Sequence, residues 1–210
     1  MDLKPIEKFN LFRAVVEHFV ELSGDEWEIL RNHLKLVQLK KKDFYVQAGD
    51  VCDSIALIVS GSARYFHVKD GIEITNYFSV ENEFLTSYKS FLTRQASIIN
   101  IEVLENTELI ILSYNSLQNL LNNSLMAYKM ERFGRLIAEF TICCYDDRIT
   151  SFIIQSAEER YLDLFTKSPN IIKRIPQHYI ANYLGITPVS LSRIRRRIMD
   201  PAKELHQAFT

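Results

Sequence analysis

The sequence predicts an α+β chain in which an antiparallel β-roll is followed by a long helix and a small helical head. Three observations lead to this fold class. The first 35 residues have helical periodicity, residues 37–113 break into short β-rich runs, and the rest of the chain returns to helical periodicity. With 210 residues, 47% of them hydrophobic, the chain can bury a core. Its formal net charge of −1 excludes a uniformly basic coat protein but leaves room for a locally basic surface.

The N-terminal region is predicted to be helical. Ser23 and Glu26 have the spacing of a capping box, which predicts a helix from Gly24 to about Leu36. The β-rich region that follows is predicted to contain six strands, at Phe44–Val46, Ser54–Val59, Ala63–Val68, Ile72–Phe78, Ile98–Val103 and Leu109–Leu112. Asp70-Gly71 between two of these strands predicts a two-residue type I′ turn, in which both residues take a positive φ. Short strands with regular turns are typical of a small barrel or roll.

The next region has the pattern of one long helix. After a short predicted helix at Ser116–Leu121, Ser124 is the expected N-cap. Apolar residues then follow with alternating spacings of four and three, at Met126, Met130, Phe133, Ile137, Phe140 and Cys144. The stripe drifts afterwards to Tyr145, Ile149 and Phe152. Two interpretations are open, because the stripe can pack on the roll of its own chain or form a two-fold seam with a second copy.

The C-terminal region is predicted to form a helical head. Ser156 and Glu159 form a second capping box, and the helix that they begin should close at Lys167-Ser168-Pro169, since proline cannot continue it. Ile171–Ile175 is expected to be a short strand or an extended link. Two helices separated by a glycine-centred turn then span residues 175–198.

Each special position of this helix pair has a mechanical reason. Pro176 suits the first turn of the first helix, Gly185 suits a positive φ where the chain leaves it, and Thr187-Pro188 supplies an N-cap and an N1 proline for the second helix. Leu191 and Ile194, three residues apart, are predicted to lie on the buried inner face of the second helix. The pattern is typical of a helix-turn-helix, whose second helix enters the major groove of double-stranded DNA.

The candidate DNA-binding residues are those on the outward side of this second helix. They are Thr187, Pro188, Val189, Ser190, Ser192, Arg193, Arg195, Arg196 and Arg197. Short hydroxyl residues near the helix start suit contacts with base edges, and arginines suit phosphates. The arginines could instead be a solvated basic helix end that complements the helix dipole. The surrounding helix pair favours DNA binding.

With these motifs in hand, the whole chain resembles the Crp/Fnr family of regulators. The sensor half carries Gln47-Ala48-Gly49-Asp50, Ser54 to Gly61 and Asp70-Gly71, and the head carries Ile180-Ala181, Leu184 to Thr187 and Ser192-Arg193-Ile194. The resemblance implies a cyclic-nucleotide-binding-type β-roll sensor at residues 1–123, a dimerisation helix at 124–155 and a helix-turn-helix domain at 156–210. It also implies a homodimer on a palindromic operator, an effector whose binding is relayed through the long helix, and RNA polymerase as a further partner.

The resemblance also suggests where an effector would bind. Members of the family that take a cyclic nucleotide hold its ribose with the glutamate of a Gly-Glu pair and its phosphate with an arginine and a small hydroxyl residue. The matching candidates here are Glu83, Arg94 and Ser97. Asn82 stands in place of the glycine, and Phe84 replaces a small residue, so the pattern departs from the family at this end. We therefore expect a different effector, or none, rather than a cyclic nucleotide.

Other chemistries have little support in the sequence. No cysteine precedes Cys52, which excludes an N-terminal iron–sulfur cluster, and a lone His67 is expected to be structural rather than a haem ligand. The vicinal pair Cys143-Cys144 is expected to behave as small apolar residues, with redox sensing as the alternative. The five histidines form no His-x-His pair, and no nucleophile elbow, P-loop or dinucleotide motif is present, so we expect no enzyme and no metal site.

The remaining expectations concern location and the chain end. The start lacks the apolar run of a signal peptide, and no segment approaches the roughly 20 apolar residues of a membrane span, so we expect a cytoplasmic protein without a membrane partner. The short tail after Asp200-Pro201 is expected to leave no room for a β-hairpin wing. The rival hypothesis is a degenerate sensor that acts through protein contacts without binding specific DNA.

Overall fold

The computed structural model describes residues 3–199 of the chain. It begins with two helices, α1 (Pro5–Glu17) and α2 (Gly24–Arg31). The predicted capping box is confirmed, because Ser23 Oγ accepts a hydrogen bond from Glu26 N at 3.2 Å and the Glu26 carboxylate accepts one from Ser23 N at 2.7 Å. The prediction that α2 continues to about Leu36 is wrong. Residues from Leu34 onwards form a strand instead, since pairing in a sheet outweighs the local helical pattern.

Two four-stranded antiparallel sheets form the roll. The first sheet contains, from edge to edge, β1 (Leu34–Leu39), β8 (Thr107–Ser113), β3 (Ser54–Ser60) and β6 (Phe84–Leu85). The second contains β2 (Phe44–Val46), β7 (Asn100–Val103), β4 (Ala63–Lys69) and β5 (Ile72–Ser79). The six predicted strands are confirmed to within a few residues at their ends. The sequence pattern missed β1 and the two-residue β6.

The core of the roll follows from the alternation of side chains along β3. Ala56 and Ile58 point between the two sheets, whereas Leu57 and Val59 point outwards to a second apolar cluster that includes α1 and α2. Residues 56–58 are fully buried, and Val59 is 6% exposed. A strand that is buried on both faces reads as a continuous apolar run, which explains the sequence Ile-Ala-Leu-Ile-Val.

Two turns of the roll contain residues with a positive φ, a backbone conformation that glycine adopts most easily. The predicted β4–β5 hairpin is confirmed, with φ values of 53° at Asp70 and 76° at Gly71. Gly61, between β3 and β4, has a φ of 111°, and a Cβ placed there would lie 2.3 Å from Thr107 Oγ1 and 2.8 Å from Thr107 Cα. This turn therefore brings the β3–β4 corner into direct contact with the start of β8.

Helix α3 (Tyr88–Thr93) lies between β6 and β7, and α4 (Tyr114–Leu121) follows β8. The long predicted helix is α5 (Ala127–Ile154), of 28 residues. Its start is capped by Asn123 rather than the expected Ser124, since Asn123 Oδ1 accepts hydrogen bonds from the backbone of residues 125 and 126 at 3.0 and 3.3 Å.

The first part of α5 packs on the roll of its own chain. Met126 is fully buried, Met130 is 2% exposed, and the Phe133 ring makes edge-to-face contacts with Phe19 and Phe84, each at 5.7 Å between centroids. For this end of the stripe, the interpretation of packing within one chain is therefore confirmed.

The second part of α5 exposes a different apolar stripe. Its members are Ile142, Tyr145, Ile149 and Ile153, and each is at least 56% exposed. At about 100° per residue, this stripe is turned by roughly 140° from the side chains that pack on the roll. The drift seen in the sequence thus separates two faces of one helix.

Internal contacts divide the chain into two units, Met1–Tyr145 and Asp146–Thr210, so that the last residues of α5 group with the head. The head also contains α6 (Ala157–Lys167), α7 (Pro169–Arg174), α8 (Gln177–Tyr183) and α9 (Pro188–Met199). The predicted start of α6 is confirmed, because Ser156 Oγ accepts a hydrogen bond from Glu159 N at 3.3 Å. The expected absence of a wing falls on residues beyond 199, outside the described residues.

The expectation of a strand or extended link at Ile171–Ile175 is wrong, since α7 occupies most of it. Pro169 stands in the first turn of this helix, where its fixed φ is favourable and its missing N–H is harmless. Ile171 is 7% exposed and Ile175 is 4% exposed, and Ile175 N donates to Ile171 O at 2.9 Å. One turn of helix therefore brings both β-branched residues into the core of the head.

Candidate nucleic-acid interface

The turn between α8 and α9 has the predicted chemistry. Gly185 has a φ of 72°, its N–H donates to Asn182 O at 3.0 Å, and Ile186 N donates to Ala181 O at 3.0 Å, so the carbonyls at the end of α8 are satisfied. Thr187 is confirmed as the N-cap of α9, because its Oγ1 accepts a hydrogen bond from Ser190 N at 3.1 Å. The two helices are therefore joined by a short turn of fixed geometry.

The inner face of the helix pair is well packed. Ile180 is 2% exposed, Ala181 and Leu184 are fully buried, Leu191 is 1% exposed and Ile194 is 6% exposed. Ala181 is the smallest side chain on this inner face. These buried residues pack α9 against α8, the arrangement that the predicted helix-turn-helix requires.

The side of α9 opposite this inner face is exposed. At about 100° per residue, Val189, Ser192, Arg193 and Arg196 project within roughly 100° of one another, away from Leu191 and Ile194. All four are exposed to solvent, and Val189 is 63% exposed. The structure thus gathers these four of the nine predicted residues into one surface, which we call the reading face.

The other predicted residues lie at the edge of the reading face. The hydroxyls of Ser190 and Thr187 are 3.0 Å apart in the N-terminal cap of α9. Arg195 is half-buried, and Arg197 forms an ion pair with Glu158 of α6 at 3.0 Å. The three consecutive arginines therefore have different environments. Arg195 is half-buried, Arg197 is paired with Glu158, and Arg196 is exposed on the reading face.

The candidate effector residues are engaged by their own neighbours. Arg94 has a φ of 58° at the end of α3. Its Nη1 donates to Cys52 O at 2.9 Å, its Nη2 pairs with the Asp53 carboxylate, and it stacks 4.0 Å from the centroid of the Tyr114 ring. In this arrangement Arg94 stabilises the segment before β3.

The other two candidates are also occupied. Ser97 is 3% exposed, and its hydroxyl lies 2.9 Å from Ser87 Oγ and donates to Ile99 O at 2.8 Å. The Glu83 carboxylate accepts a hydrogen bond from Val80 N at 3.3 Å, and burial raises the pKa of this carboxyl above its ordinary value. Glu83 is thus engaged within its own chain by this backbone hydrogen bond.

Tyr65 supplies a further side chain that sequence reasoning missed in this region. It is 8% exposed, its hydroxyl accepts a hydrogen bond from Ser79 Oγ at 3.3 Å, and burial strongly raises its pKa. The place of Tyr65 in a predicted strand gave no signal that its hydroxyl would reach Ser79, near the Glu83 segment. Taken together, the side chains present do not fit a cyclic nucleotide, because the anion-binding and ribose-binding groups already have protein partners.

His67 and the Cys143-Cys144 pair are the other candidates for sensing chemistry. His67 Nδ1 lies 3.2 Å from Ile98 O. Cys143 is an exposed free thiol on α5, so the expectation that it packs as a small apolar residue is wrong. Within residues 3–199, no group of three or more His, Cys, Asp or Glu side chains could hold a metal ion. None of the helices in that part of the chain is both long enough and apolar enough to cross a membrane.

Comparison with known proteins finds a similarity in the roll. The family model of the cyclic nucleotide-binding domain matches residues 36–124, which span most of the roll and α4. The match covers less than half of the chain. Among curated protein sequences, none matches the chain at a significant level.

Solved structures extend the likeness to the rest of the chain. FixK2 from Bradyrhizobium japonicum has a TM-score of 0.64 and 14% identity, and the match covers 80% of this chain and 85% of that one. The c-di-GMP-responsive global regulator CLP from Xanthomonas campestris gives 0.63 and 16%, with 83% and 90% covered. A putative regulator of the crp/fnr family from Eubacterium rectale gives 0.60 and 20%, with 85% and 84% covered. The predicted Crp/Fnr-type fold is therefore confirmed.

Proposed function

We propose that this protein is a DNA-binding transcription regulator that works as a homodimer and reads a palindromic operator with α9 of each protomer. The observation that carries the proposal is the reading face, on which Val189, Ser192, Arg193 and Arg196 stand exposed while the opposite face of α9 is buried. A helix placed in this way can enter a major groove without disturbing its own packing. The Crp/Fnr-type fold supports the proposal.

The reading face divides the work between its residues. Val189 and Ser192 lie near the start of α9, where side chains of a recognition helix reach base edges. Arg193 is long enough for a bidentate contact with guanine, and Arg196 lies one turn further on, where a guanidinium can neutralise a phosphate. Arg197 contributes less charge, because Glu158 is bound to it.

The exposed stripe on the second part of α5 supports the homodimer. Four apolar side chains at Ile142, Tyr145, Ile149 and Ile153 form a contiguous surface that a monomer rarely leaves in water. A second copy of the same helix offers a matching apolar stripe, and a two-fold pairing would present two reading heads to a palindromic site.

In the sensor, we propose that the roll takes an effector other than a cyclic nucleotide, or none. The supporting observation is that Arg94, Ser97 and Glu83 each have partners within the chain. As a regulator of transcription, the protein would act in the cytoplasm and would meet RNA polymerase at its promoters.

The test is affinity for genomic DNA fragments, measured as a function of salt with purified protein. We expect a small set of specific fragments and a steep negative slope of log K against log salt. Arg193→Ala should lower the affinity for a specific fragment about 10-fold or more while leaving non-specific binding nearly unchanged. The matched control is Arg31→Ala, which removes a solvent-accessible arginine of α2 that pairs with Glu28 at 3.4 Å.

The rival hypothesis is an interaction module that acts through protein contacts. It predicts no specific fragment and no effect of Arg193→Ala. The dimer is tested separately by Ile149→Glu, which should give a monomer in analytical ultracentrifugation and should weaken specific binding. A monomeric wild type would refute the two-fold part of the proposal.

A further inference from the structure

Arg148, in the last third of α5, binds the end of the first helix of the helix-turn-helix. Its Nη2 donates to Tyr183 O at 2.6 Å. Its guanidinium also stacks 3.6 Å from the centroid of the Tyr183 ring and 4.3 Å from that of the Phe152 ring. The contact thus combines one charge-assisted hydrogen bond with two cation–π contacts.

Arg160, in α6, binds the carbonyl of the residue that follows Tyr183. Its Nη2 donates to Leu184 O at 2.9 Å, and its Nη1 donates to Gln155 O at 2.6 Å. Its guanidinium lies 4.6 Å from the centroid of the Phe152 ring. One side chain therefore ties together the end of α5, the start of α6 and the end of α8.

Phe152 completes this cluster at the turn itself. It lies next to both guanidinium groups, and a Cβ added at Gly185 would be in van der Waals contact with its ring at 3.4 Å. The two arginines and Phe152 thus surround residues 183–185, which join α8 to the reading helix. We call these three side chains and Tyr183 the junction clamp.

The chemistry of the clamp suits a fixed joint. The carbonyls at the C-terminal end of a helix lack helical donors and carry partial negative charge, so they favour guanidinium groups. Burial lowers the Arg148 pKa from its ordinary value, and burial raises that of Tyr183. Because Arg148 and Tyr183 are partly shielded from solvent, breaking their contact would leave the guanidinium and the Tyr183 carbonyl without their hydrogen-bond partner until water replaces it.

We propose that Arg148 and Arg160 are positioning residues that lock the end of α5 to the turn of the helix-turn-helix. In this arrangement the connection at Gln155-Ser156 is not a free hinge, and α9 keeps a fixed direction relative to the last two turns of α5. The part of the inference that concerns DNA reading rests on the proposed function; the existence of the clamp does not.

The clamp is tested without DNA by hydrogen exchange on the full-length protein. Arg148→Lys and Arg160→Lys keep the charge but remove the planar fork that stacks and donates at the same time. We expect the amides of residues 155–160 and 184–186 to exchange about tenfold faster in both variants, as for the loss of one charged hydrogen bond. Amides of the roll should be unchanged in both variants, and Arg31→Ala should leave exchange in residues 155–160 and 184–186 as in the wild type. If the amides of both segments exchange at the wild-type rate in both variants, the proposal of a clamp is overturned.

The effect on DNA reading is measured with the same lysine variants. We expect the Kd for a specific site to rise about tenfold while the salt slope stays the same, because no phosphate contact is removed. A salt slope that falls by about 0.9 for each arginine replaced would identify phosphate ligands and would overturn the positioning role. If the wild type binds no specific DNA, the proposed function fails, while the exchange experiment still decides whether the clamp exists.

Discussion

Replacing Arg196 with alanine is the sharpest test of the reading face. Arg196 is exposed on the side of α9 that is opposite to the buried residues Leu191 and Ile194. Its removal should therefore leave the helix pair folded, and the free energy of unfolding should change by no more than about 0.5 kcal/mol. The loss should show only when DNA is present.

The magnitude follows from counterion release. Each phosphate that a cation neutralises contributes about 0.9 to the slope of log K against log salt, and a homodimer presents Arg196 twice. We expect Arg196→Ala to make the slope less steep by about 1.8. Between about 50 and 200 mM salt, this difference corresponds to roughly a tenfold change in the ratio of wild-type to variant affinity.

The assay is fluorescence anisotropy with a labelled operator fragment at several salt concentrations. Arg197→Ala serves as a graded comparison, since Glu158 lies 3.0 Å from that guanidinium and already offsets its charge, so its slope should change less. Arg31→Ala, in α2, should leave the slope unchanged. An Arg196→Ala slope equal to that of the wild type would show that the reading face does not meet the DNA backbone as we have reasoned.

Three further predictions concern the roll. Gly61→Ala should destabilise the protein by about 2 kcal/mol or more in urea titration, because its Cβ would overlap Thr107, whereas Gly49→Ala, at a φ of 103° but in open space, should cost only about 1 kcal/mol. Burial raises the pKa of Glu83 because the folded protein favours the protonated carboxyl. The contribution of the protonated Glu83 to the free energy of unfolding is therefore complete below the ordinary pKa of 4.5, and it is lost as the pH rises through the folded-state pKa. Glu83→Gln should therefore raise the Tm at pH 7 and leave it nearly unchanged at pH 4; an equal Tm at pH 7 would contradict this. Cyclic AMP at about 1 mM should leave the Tm of the wild type unchanged, and an increase of several degrees would contradict our account of the roll.

Local patterns in the sequence determined the elements whose geometry depends on neighbouring residues. The Asp70-Gly71 hairpin and the turn at Gly185 follow from backbone conformations that few residue types adopt, and Thr187 caps α9 through a hydrogen bond three residues away. The helix-turn-helix was predictable for the same reason, since its caps, turn and buried positions lie within 24 residues.

Local patterns failed where a distant partner decided the outcome. Residues 34–36 continue a helical pattern, but Leu34, Lys35 and Leu36 pair with β8, about 75 residues further along the chain. Arg94 has the residue type of a phosphate ligand, yet Asp53 and Tyr114 hold it elsewhere. Neither partner can be read from the residues next to it.

Local patterns in the sequence thus predicted a helix pair over residues 175–198 with nine candidate DNA-binding residues on its second helix. Only the tertiary structure separated the four residues of the reading face from those engaged in a cap or an ion pair, and showed that Arg148 and Arg160 meet at the turn. The physical reason is that a helix dipole, a cap and a turn act over a few residues, whereas burial and the choice of a charged partner depend on which segments pack together.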